Sequence, residues 1–193
     1  MFRRFIPTLT SPMKPWKPWA ERPLMATPRR ILGIDPGSRI LGLGIIETDG
    51  QRSRFVHSHS LRLGTRPLPE RLGDIYACVS RMIQEYQPAE GAVENVFVSN
   101  NAASALKLGQ ARGAAISAMV MAGLPVAEYS PREVKQAIVG RGAADKQQIQ
   151  HMVKVLLNLQ GRLQADAADA LAVALCHAHT SHLLNRIARS AAT

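Results

Sequence analysis

The sequence predicts a mixed α/β domain in which helices flank a single five-stranded sheet. Two observations carry this prediction. Three consecutive strand-like segments follow one another near residue 31, and the later segments alternate between helical and strand periodicity, which gives the order βββαβαβααα. Strands joined by short turns pair antiparallel, whereas strands separated by a helix are usually parallel. We therefore expect three antiparallel strands followed by parallel additions.

The composition is that of an ordinary globular protein with a basic excess. The 193 residues include 46% hydrophobic and 20% charged residues and carry a net charge of +10, which favours a polyanionic partner, nucleic acid before an anionic membrane surface. Residues 1–30 hold seven basic residues against one acid, so the rest of the chain is only mildly basic. No apolar run approaches the ~20 residues that a membrane span needs.

Two cysteines, Cys78 and Cys176, lie far apart in helical patterns without metal-ligand spacing. This usage favours two reduced, buried thiols over a disulfide and predicts a cytoplasmic protein.

Residues 1–29 are predicted to be a disordered basic extension, rich in proline and containing a repeated Lys-Pro-Trp triplet. Three interpretations compete. The extension could be an organelle transit peptide, or a DNA-contacting arm that uses Trp16 and Trp19 for stacking, or sequence upstream of a true start at Met25. The last is favoured because nothing in the domain requires the extension.

The first three strands are predicted at Ile31–Asp35, Ile40–Thr48 and Arg54–Leu63. Asp49-Gly50 between the second and third is a strong signal for a two-residue hairpin turn. A helical apolar stripe then begins at Pro67.

The remaining elements alternate until the last three helices. The predicted domain covers residues 30–187 and leaves a short tail at 188–193. Its later elements are helices at Pro67–Tyr86, Asn101–Met121, Pro131–Val139, Asp145–Leu157 and Gln164–Ile187, and strands at Gly91–Val98 and Pro125–Tyr129.

Four acidic residues are placed where their segments could converge. Asp35 ends the first apolar strand, where an ionised carboxylate is costly unless a positive charge meets it. Glu94 interrupts another apolar strand and would emerge beside Asp35 if the two strands were neighbours, although a solvent-facing Glu on an edge strand is the simpler alternative. Asp166 and Asp169 share one helix face, although an acidic helix start is commonplace.

Such a carboxylate set suits ions of the Mg²⁺ type, which prefer oxygen ligands. Two ions about 4 Å apart could activate water and stabilise the leaving oxygen of a phosphodiester. The residues alone therefore suggest a metal-dependent nuclease.

Several segments carry a resemblance to a known family. GIDPGSR at 33–39, ENVF at 94–97, SALKLGQARG at 104–113, VKQ at 134–136 and QADAADALA at 164–172 resemble the RuvC family of bacterial Holliday junction resolvases. The resemblance covers about residues 30–185, and the segments occur in the family's order.

The resemblance implies a ribonuclease H-like fold and a homodimer that binds a four-way DNA junction. It implies paired symmetric nicks that leave 5′-phosphate and 3′-hydroxyl ends, with two Mg²⁺ ions per active site and Mn²⁺ as a substitute. It also implies the RuvA–RuvB branch-migration complex as a partner.

The family's site residues map onto this chain by motif. The resemblance implies that four carboxylates bind metal and act in catalysis together with one lysine: Asp35, Glu94, Asp166, Asp169 and Lys146. It implies that Phe97 stacks at the junction centre and that Lys135 contacts phosphate near the scissile bond. Further phosphate contacts are expected from Lys107, Arg112 and Arg39. One departure is Asn100, where some relatives carry a lysine.

Two other classes of protein are weighed against the nuclease. GIDPGS also resembles the phosphate-binding hairpin of sugar-kinase and actin-like ATP-binding proteins, which need two domains and a second glycine-rich loop that this chain lacks. A junction-binding protein without cleavage is disfavoured because all four acids are present. ATP binding would support the first alternative, and junction binding without nicking in Mg²⁺ the second.

Overall fold

The computed structural model describes residues 27–95, 101–142 and 144–191. The predicted order of elements is confirmed. It comprises β1 (Arg29–Asp35), β2 (Ile40–Thr48), β3 (Ser53–Arg62), α1 (Leu68–Tyr86), β4 (Glu90–Glu94), α2 (Ala102–Met121), β5 (Val126–Tyr129), α3 (Pro131–Val139), α4 (Lys146–Leu157) and α5 (Ala165–Ala191).

The strands form one mixed sheet in the order β3-β2-β1-β4-β5. The pairs β1–β2 and β2–β3 are antiparallel, whereas β1–β4 and β4–β5 are parallel, as predicted. The parallel register of β1 and β4 pairs Ile34 with Val93. Each strand ends at the residue after this pair, so Asp35 and Glu94 leave the sheet side by side at the same edge.

The sheet separates two hydrophobic cores. On one face, buried residues of α3, α4 and α5 pack against β1, β2 and β4, with Ile31, Ile46 and Ala92 facing them. On the other face, α1 and α2 cover the alternate residues of the same strands, such as Leu32 and Leu43. The strands are therefore covered on both sides, which explains their nearly continuous apolar sequences.

Helix α5 lies unusually close to β1 and β2 because glycines line its path. A Cβ atom at Gly33 would be 2.2 Å from the carbonyl oxygen of Ala170, and one at Gly42 would be 2.0 Å from that of Asp166. The alanines of this helix complete the close contact, and several of them are fully buried. This packing fixes the first turn of α5, and with it two of the four acids, against the strand edge.

The predicted N-cap of α4 is confirmed, whereas the predicted turn between β2 and β3 differs from the structure. Asp145 caps α4 as predicted, with its carboxylate accepting a hydrogen bond from the Gln148 N–H. The predicted two-residue turn is wrong, because the loop spans four residues, 49–52. The Asp49 carboxylate accepts hydrogen bonds from the N–H groups of Gln51 and Arg52, which stabilises a wider turn.

Other boundaries shift by a few residues. The strand predicted to reach Val98 begins earlier, at Glu90, and ends at Glu94, and residues 96–98 lie outside the described part of the chain. The final helix continues past the predicted Ile187 to Ala191. Of the extension predicted at residues 1–29, residues 1–26 lie outside the described residues, and Arg29 is the first residue of β1.

Candidate active site

Asp35 and Glu94 leave the sheet side by side, close enough for their carboxylates to interact. Burial, followed by the negative charges of Glu94 and Asp169, raises the pKa of Asp35 from 3.8 to about 8. Burial also raises the pKa of Glu94. Two partly buried carboxylates this close cannot both ionise without cost, so the pair retains a proton at neutral pH.

Asp169 extends this cluster from α5 and pairs with a lysine. Its Oδ2 lies 2.7 Å from Nζ of Lys146, the first residue of α4. This hydrogen bond raises the pKa of Lys146, and the charges of Asp35 and Asp166 act in the same direction. Lys146 is therefore firmly cationic and balances part of the cluster's negative charge.

The fourth predicted acid, Asp166, lies at the margin of the cluster. It is half-buried one turn earlier on α5, and it lines a neighbouring groove with Arg62 and Arg162. Its negative charge nevertheless contributes to the raised pKa of Lys146. The structure thus brings Asp35, Glu94 and Asp169 into one group and places Asp166 beside it.

A cavity of about 200 Å³ opens next to the carboxylates. Its polar wall consists of Glu94, Asp169, Lys135 and Lys146, and its apolar wall consists of Pro131, Val134, Ile149 and Ala172. Lys135 lies on α3, and its charge opposes the rise in the pKa of Glu94. A negatively charged phosphodiester that entered this cavity would meet two cations beside the acids.

The donor set fits a hard divalent cation, although the ligands are not held in a ready-made cage. Within residues 27–95, 101–142 and 144–191, no three His, Cys, Asp or Glu side chains are pre-arranged as a metal-ligand group. Burial and the negative charge of Glu94 instead raise the pKa of Asp35, and Asp169 is paired with Lys146. A divalent ion prefers carboxylate oxygens and would offset the repulsion that raises these pKa values.

Apart from Lys135, which lines the cavity, the predicted DNA-contacting residues fall into three groups. Lys107 and Arg39 are exposed, on α2 and in the turn after β1. Arg112 is engaged within the protein, where it donates a hydrogen bond of 2.8 Å to Asn95 Oδ1 and pairs with Glu128. Phe97 lies outside the described residues, and so does Asn100.

Two arginines beside Asp166 were missed by the sequence analysis. Arg162 lies four residues before Asp166, so its proximity could have been inferred from the loop preceding α5. Arg62 is distant in sequence and reaches the site only through the pairing of β3 with β2. No motif in the sequence marks it.

Comparisons with known proteins point to one family. A family model described as "Crossover junction endodeoxyribonuclease RuvC" matches residues 31–177. The crossover junction endodeoxyribonuclease RuvC of Acinetobacter baumannii (strain ATCC 17978) is 57% identical over 157 residues, covering 81% of this chain and 87% of the relative.

Solved structures agree as well. The structure of Thermus thermophilus RuvC aligns with a TM-score of 0.73 at 36% identity, and T. thermophilus RuvC in complex with a Holliday junction substrate aligns with 0.76 at 37%. Each comparison covers 80% of this chain and 96% of the other chain. The ribonuclease H-like fold is thereby confirmed. RuvC nucleases depend on divalent metal ions, in keeping with the donor set. The chain belongs to the RuvC family of crossover junction endodeoxyribonucleases.

Proposed function

We propose that this endonuclease resolves four-way DNA junctions by cutting two strands of like polarity at symmetric positions, leaving 5′-phosphate and 3′-hydroxyl ends. The observation that carries the proposal is that Asp35, Glu94 and Asp169 come together from three separate elements, next to a cavity lined by Lys135 and Lys146. Carboxylates that repel one another beside phosphate-binding cations fit phosphodiester hydrolysis better than a structural role.

The metal ligands in this proposal are Asp35, Glu94, Asp166 and Asp169, which would hold two Mg²⁺ ions with Mn²⁺ as a substitute. When bound, the ions supply an activated water and stabilise the leaving oxygen. The protein's contribution is to hold the carboxylates on rigid elements: the end of β1, the end of β4 and the first turn of α5. Residues 30–187 form the nuclease domain in this proposal.

The two lysines position the substrate. Lys146 is 60% exposed while its ammonium lies 2.7 Å from Asp169, so it can contact a phosphate oxygen and a metal-binding carboxylate at the same time. Lys135 would contact the same phosphodiester from α3. Lys107 and Arg39 would add outer phosphate contacts, and Phe97 would stack on a base at the junction centre.

Replacing Lys146 with Met is expected to lower the cleavage rate by roughly 10- to 10³-fold, because a cation that stabilises developing charge is lost. The free energy of unfolding should change by no more than about 1 kcal/mol, since the ion pair is exposed on the lysine side. Single-turnover cleavage and urea unfolding measure the two effects. Lys146→Arg, which keeps the charge, should retain more activity. A parallel loss of stability and activity would contradict this role.

Divalent cation is expected to raise the melting temperature more at about pH 9 than at about pH 6. The pKa of Asp35 rises from 3.8 to about 8 on folding, so the folded protein retains a proton that the unfolded chain releases. Without metal, the free energy of unfolding therefore falls as pH rises from 3.8 to about 8, the two pKa values of Asp35. Metal binding must displace this proton at the lower pH but not at the higher one.

Thermal melts in EDTA and in MgCl₂ at both pH values measure this effect. Asp35→Asn should remove most of the metal-induced shift and should melt higher than the wild type in EDTA at the higher pH. Equal metal-induced shifts at the two pH values, or an unchanged shift in the variant, would contradict the assignment of Asp35 as a metal ligand.

The proposed assembly is a homodimer, because a two-fold protein matches a substrate that must be cut at two symmetric positions. Helix α2 supports this proposal with Leu106, Val120 and Met121, which are 65%, 56% and 76% exposed. The RuvA–RuvB branch-migration complex is proposed as a partner from the family resemblance. The bacterial cytoplasm is proposed as the location, in keeping with a DNA substrate and two free, buried cysteines.

A direct test of the proposed selectivity compares a synthetic four-way junction with a linear duplex of the same sequence. In MgCl₂ the full-length protein should nick the junction and leave the duplex intact, and EDTA should stop the reaction. Binding of the junction without nicking, in Mg²⁺ and in Mn²⁺, would reduce the proposal to a junction-binding protein.

A further inference from the structure

A basic groove lies next to the carboxylate cluster on the side away from Lys135 and Lys146. It consists of two adjoining cavities of about 320 and 420 Å³ that share Arg62, Arg162 and Gln164. Asp166 lines the second cavity and Ser60 the first. Both arginines are exposed, and neither forms a salt bridge with any acid that the structure describes.

Strand pairing fixes the position of this groove relative to Asp35. Asp35 pairs with Gly42 and Gly42 pairs with Ser60, so the three residues form one row across β1, β2 and β3. Two strand spacings place the Ser60 backbone about 10 Å from that of Asp35. The side chains of this row point towards α5, because a Cβ atom at Gly42 would lie 2.0 Å from the carbonyl oxygen of Asp166. Arg62, two residues after Ser60, faces the same side.

Two basic side chains lie on each side of the carboxylate cluster. Lys135 and Lys146 lie towards β4 and β5, whereas Arg62 and Arg162 lie towards β3. A DNA strand that crosses a row of carboxylates is repelled by them, and cations on both sides would offset that repulsion.

We propose that Arg62 and Arg162 bind a backbone phosphate of the strand being cut, on the opposite side of the scissile phosphate from Lys135 and Lys146. The planar, forked guanidinium group suits paired contacts with phosphate oxygens. This inference rests on the proposed junction cleavage, because it assigns the path of that substrate's strand.

The first test measures junction binding by the Arg62→Gln/Arg162→Gln double variant over a series of salt concentrations, in Ca²⁺ or EDTA so that no cutting occurs. Loss of one or two phosphate contacts should weaken binding by roughly 5- to 50-fold at about 0.1 M salt and reduce the slope of log K against log salt by about 1–2. Arg81→Gln, an exposed arginine on α1, is the matched control and should behave as the wild type.

The second test locates the contact with junctions that carry one neutral methylphosphonate near the scissile phosphate. We expect one position to weaken binding by the wild type but not by the double variant, because the two changes remove the same contact. Unchanged affinity and salt slope in the folded double variant, or additive losses at every position, would overturn the inference. If the wild type neither binds nor cuts the junction, the proposed function itself fails and this inference with it.

Discussion

Replacing Asp35 with Asn is expected to lower the rate of junction cleavage by roughly 10³-fold or more while junction binding is retained. Asparagine has the same shape as aspartate but no charge, so it cannot replace the carboxylate at the centre of the cluster. Because Asp35 contributes to the repulsion within the cluster and towards DNA, its loss should leave binding unchanged or tighter.

Single-turnover cleavage and equilibrium binding of the same four-way junction measure the two halves of this expectation. Asp74→Asn is the matched control, because Asp74 is a carboxylate on α1 that pairs with Arg66 in an exposed position. It should cut at the wild-type rate. If Asp35→Asn cuts within tenfold of the wild type, the carboxylate cluster is not the catalytic centre.

Replacing Gly33 with Ala is expected to lower the free energy of unfolding by about 1–3 kcal/mol or more. The new Cβ would lie 2.2 Å from the carbonyl oxygen of Ala170 and 2.7 Å from the N atom of Ala174. Both atoms belong to the backbone of α5, so the helix as a whole must move away from β1. That movement would also displace Asp169 from Asp35.

Urea unfolding of Gly33→Ala and Gly73→Ala measures this effect against a matched substitution. Gly73 is exposed within α1, and a Cβ there would meet nothing within 4 Å. Alanine at that position should raise the free energy of unfolding by about 0.5–1 kcal/mol, because it favours the helix. Similar effects of the two substitutions would show that close packing of α5 on the sheet is not required.

Much of the fold could be predicted because hydrophobic periodicity and helix signals agree along this chain. The parallel orientation of β4 follows from the helix between β3 and β4. Its position beside β1, which brings Glu94 to Asp35, was left open by the sequence and is shown by the structure. The alanine-rich sequence of α5 permits close packing, and the structure shows that the approaching backbone belongs to the glycine-containing strands.

Other features depend on tertiary contacts that no local pattern contains. A register shift between Ile45 and Ile46 in β2 places Phe55 opposite Ile46 and His57 opposite Ile45, so these two residues of β3 point to opposite faces. The engagement of Arg112 with Glu128 depends on the packing of α2 beside β5. For the same reason Arg62 could not be assigned to the site from sequence.

Nick mapping on a four-way junction by the full-length wild-type protein tests the central claim most directly. Each strand is labelled in turn, and the products are incubated with DNA ligase after resolution. The proposed mechanism predicts two nicks at symmetric positions in strands of like polarity, only with divalent metal, and complete resealing by the ligase. Nicks at unrelated positions, ends that ligase cannot join, or equal cutting of linear duplex would contradict it.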